Sequence, residues 1–499
     1  MFSRWLAFRR LIPPGPPSSP VRTCLPGGAR LPSYSRLPTF TLACALFAAL
    51  ACEGAREDAS DAGPSREDAP PNVVLIVVDT LRADHLSHYG YARPTSAALD
   101  AFRADSTLYS RAYSTAPWTG PSTISIHTGL SPLRHGANAH GDALPKDTET
   151  LAEILSDAGY FTHGISYNYE VSAKTGYERG FDVFVDYDRD VLAYPDIGFM
   201  VKRVRRFAAE PPDAPFFLYL HPMNTHGPYR VPEARQAALL GRPPSRVFEY
   251  YGEIMSAILR EGDTARRADV TREMIESLVD QYDVAIQYSM EEIAKMLEAL
   301  EGAGLLENTI VILTSDHGEE LFDHGGFSHG YSLYEEVLRV PLYVRWPDTS
   351  GGGTRDRLVS LLDILPTVLE ATGLEDGRDL DGVSLLRSDD EIGEERRLVQ
   401  QAGWTKRAVG HAVLRGHDHL ITLERAYDAP EGRTELFDLA TDPAELRDLA
   451  RTDEDRVTAL RDALADRAAD LTSKGAIAGG ENVLSEMDEA RLRALGYVE

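Results

Sequence analysis

The residues Asn72–Asp79, NVVLIVVD, make an unbroken β-branched and aliphatic run that follows two prolines and ends in a carboxylate. A strand wetted on one face alternates apolar with polar residues, so a run without alternation needs cover on both faces, as in the interior of a parallel sheet. The runs Phe216–His221 (FFLYLH) and Thr309–Asp316 (TIVILTSD) repeat the pattern. Helical patterns lie between them: Thr150–Ala158, stopped by Gly159, and the longer Asp280–Ala303, stopped by Gly304. Strands alternating with helices predict an α/β fold, a large mixed but mostly parallel sheet flanked by helices. At 499 residues there is also room for a smaller domain.

Each of the three strands ends in groups able to hold a metal or move a proton: Asp79, then His221 with His226 just beyond, then Asp316 with His317. A single acid at a strand end is ordinarily a cap or turn residue. Three ends carrying Asp, His and Asp-His together predict a site, because parallel sheets bind ligands at the carboxyl ends of their strands.

Acidic residues outnumber basic ones 78 to 51, which excludes nucleic acid as a partner and requires a metal or local donors to hold any anionic substrate. The cysteines Cys24, Cys44 and Cys52 all precede the strands, so the body has neither a disulfide framework nor a zinc–thiolate site. Residues 1–51 contain arginines and no acid, and Pro38–Cys52 (PTFTLACALFAALAC) is an apolar run ending in small residues. That is signal-peptide architecture, too short to span as a mature helix. The small residues before Cys52 resemble the lipobox of bacterial lipoproteins, which implies lipid attachment at Cys52, a membrane link through that anchor only, and a periplasmic or cell-envelope location; an ordinary cleaved signal is the alternative. Residues 53–71, rich in charge, Pro, Gly and Ser, read as an acidic tether.

From Asn72 onward the chain resembles the sulfatases of the alkaline phosphatase superfamily. NVVLIVVDTLRADHLSHYGY is similar to their first metal-binding strand, and TGPSTISIHTG at Thr119–Gly129 to their nucleophile signature. NTHGPY at Asn224–Tyr229, TSDHGEE at Thr314–Glu320, HGYSLYEEVLRVPLYVRWP at His329–Pro347, ELFDLATDPAELRDLA and the terminal LRALGY follow in family order. The resemblance implies a catalytic domain at 72–386 and, at 387–499, a small C-terminal α+β subdomain with a helical tail.

The departures carry as much weight. Thr119 stands where the family's cysteine is converted to formylglycine, Thr123 replaces the following arginine, Thr80 replaces the second aspartate, and SYNYE at Ser166–Glu170 replaces a Lys-x-His element. Without a cysteine, formylglycine chemistry is excluded. Phosphoethanolamine transferases of the same superfamily use a threonine nucleophile, and their metal set resembles Asp79, Thr119, Asp316 and His317. The resemblance therefore implies Zn, Mn, Ca or Mg at those four residues. It also implies Thr119, His226 and His329 as catalytic residues, and Asn168, His221 and His324 as contacts to a sulfate- or phosphate-ester substrate, such as a glycan.

Three functions stay open at this point: a hydrolase of sulfate or phosphate (di)esters, a phosphoryl transferase, and an inert glycan-binding lipoprotein. A threonine has one hydroxyl where formylglycine hydrate has two, so its covalent intermediate must be opened at sulfur or phosphorus by water or an alcohol. His135 and His140 read as turn residues with local hydrogen bonds, and His411, His417 and His419 as surface or strand residues.

Overall fold

The computed structural model describes residues 69–186, 196–240, 251, 254, 270–347, 352–375, 377–393, 395–405, 408–425, 431–475 and 477. Residues 1–68, with Cys52 and most of the segment expected to be a tether, much of 241–269 and the terminal LRALGY lie outside them. By their contacts residues 1–63 and 64–499 are separate units, and the fold described here belongs to the second. No helix of the described residues is long and apolar enough to cross a membrane.

The main sheet has eight strands. In chain order they are β1 (Asn72–Val78), β2 (Thr107–Tyr113), β3 (Phe161–Ser166), β4 (Val183–Val185), β5 (Phe216–His221), β6 (Thr309–Ser315), then, after a short ribbon of β7 (Glu320–Leu321) and β8 (Phe327–Ser328), β9 (Arg339–Arg345) and β10 (Thr354–Ser360). Their spatial order is β10-β2-β9-β6-β1-β5-β3-β4, and only β9 runs antiparallel to its neighbours. The α/β expectation holds, with β1 at the centre.

Alternate residues of β1 explain its unbroken hydrophobicity. Val74, Ile76 and Val78 join one core with the helices Ile197–Ala209 and Arg272–Gly302, while Val73, Leu75 and Val77 join the opposite core with the helices Leu151–Asp157 and Ile364–Thr372. Both faces are dry, so both side-chain sets must be apolar. The helix expected over 150–158 is Leu151–Asp157, with Thr150 and Glu153 forming a capping box. The helix expected from Asp280 starts earlier, at Arg272, where Thr271 accepts from the Met274 amide.

Beyond the main sheet, β11 (Arg397–Thr405), β12 (Ala408–Arg415), β13 (Asp418–Arg425) and β14 (Arg433–Asp438) form an antiparallel sheet covered by the helix Glu454–Ser473.

Candidate active site

Four adjacent strands, β6-β1-β5-β3, deliver the site at their carboxyl ends. Asp79 follows β1, Asp316 and His317 follow β6, His221 closes β5, and Asn168 lies just past β3. Because β1 and β6 pair in register through Val78 and Ser315, the two aspartates leave the sheet side by side. Thr119 opens the fully buried helix Thr119–Thr128, whose first turn has no side-chain cap. An alkoxide there meets the positive end of the helix dipole and its free amides.

The predicted residues converge. Thr119 Oγ1 lies 3.2 Å from His317 Nε2 and accepts from Asn168 Nδ2 at 3.4 Å. Asn168 also donates to Asp79 Oδ2 at 2.5 Å, and His221 Nε2 stands 3.3 Å from the same oxygen. His317 Nε2 is 3.4 Å from Asp316 Oδ2 and 4.0 Å from Asp79 Oδ1. The ring of His329 packs 4.6 Å from that of His317 and 5.0 Å from that of His226.

Two carboxylate oxygens decide what this cluster can bind. Asp79 Oδ1 and Asp316 Oδ2 are buried without any hydrogen-bond partner, and ligand atoms of Asp79, His221 and Asp316 all lie within 4.8 Å of one another. Unpaired buried charges of one sign are costly unless a cation joins them. Two carboxylates and imidazole nitrogens are a donor set that a divalent ion takes. The electrostatics agree: burial and then the charge of Asp79 raise Asp316, whereas for Asp79 burial is outweighed by His226, His221 and His317, which hold it low. Burial pushes His317 down to about 4, leaving it in the neutral form that binds metals.

The departures are also built in. Thr80 Oγ1 donates to the Thr225 carbonyl at 2.7 Å, and Thr225 Oγ1 donates to the Asp79 carbonyl at 2.5 Å. Thr123 Oγ1 donates to the Thr119 carbonyl at 2.7 Å and lies 2.6 Å from the Tyr177 hydroxyl, so it helps tie the helix in place where the family's arginine would face the anion.

One residue expected at the substrate is not there. His324 sits at the tip of the β7–β8 ribbon, stacked on Tyr334 at 3.8 Å, with Nδ1 2.7 Å from Glu336 and Nε2 donating to the Glu445 carbonyl at 3.2 Å. The ribbon pairs Glu320 with Ser328, which returns His329 to the site and carries His324 away from it. The same turn reveals Glu319, which the sequence reading passed over. Its Oε1 lies 3.3 Å from His329 Nδ1, and burial pushes it up to about 8. Burial and then His226 push His329 down to about 3, so the proton of this pair rests on Glu319 at neutral pH. Among the remaining histidines, His135 makes one local bond, its Nδ1 accepting from the Ala137 amide at 3.2 Å, while its Nε2 reaches back to the Pro121 carbonyl at 3.2 Å. His140 instead faces Glu170 at 2.6 Å, His417 is exposed, and His419 is a buried strand residue on Glu445.

The family model for sulfatases matches residues 71–374, the whole of the sheet and the site. The chain belongs to the sulfatase family. A second family model, the C-terminal region of N-sulphoglucosamine sulphohydrolase, matches residues 323–474. An arylsulfatase of Clostridium perfringens is 25% identical over 78% of this chain and 93% of its own length. An N-acetylglucosamine-6-O-sulfatase of Bacteroides thetaiotaomicron is 23% identical over 78% of this chain and 85% of its own. Among solved structures, the phosphonate monoester hydrolase of Agrobacterium radiobacter superposes with a TM-score of 0.65 at 21% identity, covering 81% of this chain and 96% of that one. BT4656, solved with its substrate D-glucosamine-2-N,6-O-disulfate, gives 0.65 at 18% identity over 82% of this chain and 99% of that one. Both share the sulfatase fold described here.

Proposed function

We propose that the chain is a metal-dependent hydrolase of sulfate esters or phosphodiesters in which Thr119, rather than formylglycine, is the nucleophile. The observation that carries this reading is the pair of unpartnered carboxylate oxygens, Asp79 Oδ1 and Asp316 Oδ2, converging beside the Thr119 hydroxyl. Asp79, Asp316, His317 and Thr119 itself would hold a divalent cation, with Zn, Mn, Ca and Mg as candidates. When bound, such a cation acidifies the alcohol and offsets negative charge on the ester.

The chain's own residues supply the rest. Oγ1 of Thr119 displaces the alkoxide at sulfur or phosphorus, and water then displaces Thr119 to free the anion. Asn168, held by Asp79, fixes the nucleophile's rotamer by donating to it. His226 and His329 face the developing charge, and His329 protonates the departing oxygen while Glu319 returns a proton to its Nδ1. With Thr123 in place of an arginine, the motif positions suit a monoanionic ester better than a dianionic monoester. Relatives that act on sulfated sugars favour a glycan sulfate, and a fold neighbour that hydrolyses phosphonate monoesters favours a phosphorus ester. An alcohol acceptor in place of water would make the same site a phosphoryl transferase. The segment before Asn72 supports export and attachment to the cell envelope through Cys52.

The test is turnover of nitrophenyl sulfate, a nitrophenyl phosphodiester and a nitrophenyl phosphonate by wild type and Thr119→Ala, with metal content measured on both. Turnover of at least one ester that vanishes in Thr119→Ala supports the reading. A metal-free protein that turns over none of them leaves an inert glycan-binding lipoprotein as the better account.

A further inference from the structure

We infer that His221 is a ligand of the divalent cation, filling the role given up when Thr80 replaced the family's second aspartate, and that Tyr219 is the residue that orients it. This rests on the metal-dependent reading above. Thr80 offers no carboxylate there: its hydroxyl is turned to donate to the Thr225 carbonyl at 2.7 Å, and its own carbonyl accepts from the Tyr282 hydroxyl at 2.6 Å. Its φ of 56° belongs to the left-handed region, which fixes the turn that aims the side chain away.

His221 comes to the same carboxylates from the other side. It is fully buried, its Nε2 is 3.3 Å from Asp79 Oδ2, and it shares the 4.8 Å cluster with Asp79 and Asp316. Its second nitrogen, Nδ1, lies 3.0 Å from the Tyr219 hydroxyl. A neutral imidazole carries one proton, so a cation at Nε2 selects the tautomer with hydrogen on Nδ1, donated to the tyrosine oxygen. Metal-bound histidines nearly always have such an outer partner. Residues 219 and 221 share one face of β5 because side chains repeat every second residue along a strand. Tyr219 is itself immobile, fully buried with the ring of His127 edge-on at 4.5 Å. His317 repeats the arrangement: its Nδ1 donates to the Gly318 carbonyl at 2.8 Å, leaving Nε2 toward Asp316 and Thr119. The site therefore offers two imidazole nitrogens, one from each strand beside β1.

X-ray absorption on the zinc-loaded full chain counts them directly. Two imidazoles are expected in wild type and one in His221→Gln. Zinc affinity, measured by competition with a chromogenic chelator, should fall roughly 10- to 100-fold in His221→Gln and in Tyr219→Phe. A single imidazole in wild type, or unchanged affinity in His221→Gln, overturns the ligand role, and unchanged affinity in Tyr219→Phe overturns the orienting role. Asp316→Asn separates this from the broader reading. Zinc lost by Asp316→Asn but kept by His221→Gln defeats the inference alone, whereas zinc kept as tightly by Asp316→Asn as by wild type defeats both.

Discussion

Two clusters in this molecule are built from the same residue types and come to opposite ends. At the strand ends, Asp79 and Asp316 face each other with buried oxygens that nothing satisfies. Where the β7–β8 ribbon meets the antiparallel sheet, His324, Glu336 and Glu445 are equally close, but each is paired: His324 to Glu336 and to the Glu445 carbonyl, Glu445 to His419 and to the Glu335 amide. None of the atoms of His324, Glu336 or Glu445 is buried without a partner. The first cluster leaves two carboxylate oxygens unpartnered, which under the proposed function a cation would join; the second supplies its own cation, an imidazolium that burial opposes but Glu336 raises to about 9. Proximity of carboxylates and histidines does not mark a metal site. What sets the first cluster apart is a pair of unpartnered carboxylate oxygens within reach of one another and of an imidazole nitrogen.

The sharpest way to break this contrast is to neutralise one member of each cluster. Asp316→Asn should lose the cation and, with it, roughly a thousandfold or more of turnover, whereas Glu336→Gln should keep both; metal analysis and kcat/KM on the pair of variants decide it. Next in size is the effect of the cation on folding. At a hundred times its dissociation constant a ligand adds about 2.7 kcal/mol, so chelation should lower the melting temperature of wild type and leave that of Asp316→Asn unmoved.

A smaller effect belongs to the paired cluster. Because the folded pKa of His324 is raised above its ordinary 6.5 to about 9, its contribution is complete below about 6.5 and is lost as pH rises through about 9. A charge-assisted hydrogen bond of this kind is worth about 1.5–3 kcal/mol. Melting curves between pH 7 and 10 should show wild type losing stability with rising pH and His324→Gln losing less. Smallest is Glu319→Gln, which keeps a donor to His329 but cannot release a proton. A drop in kcat of roughly tenfold with KM unchanged is expected, and a change in KM alone would assign Glu319 to substrate binding instead.

Much of this is legible in the sequence. The three apolar runs became β1, β5 and β6, and the acids and histidines at their ends meet because the strands are parallel neighbours. Thr119, Asn168, His226, His317 and His329 stand with them. His324 was misplaced because nearness in sequence to His317 and His329 says nothing about a two-stranded ribbon that reverses the chain between them. Glu319 looked like one acid in an acidic run; what singles it out is burial against His329, which no pattern of residues reports. That Tyr219 backs His221 is not legible in the sequence, because Tyr219 is an ordinary strand residue until the face they share is known.

The most direct measurement is tandem mass spectrometry of the chain quenched during turnover of a slow sulfate or phosphorus ester. The expected result is a sulfuryl or phosphoryl group on Thr119, absent from Thr119→Ala and from protein stripped of metal. Transfer to another residue, or continued turnover by Thr119→Ala, would contradict it.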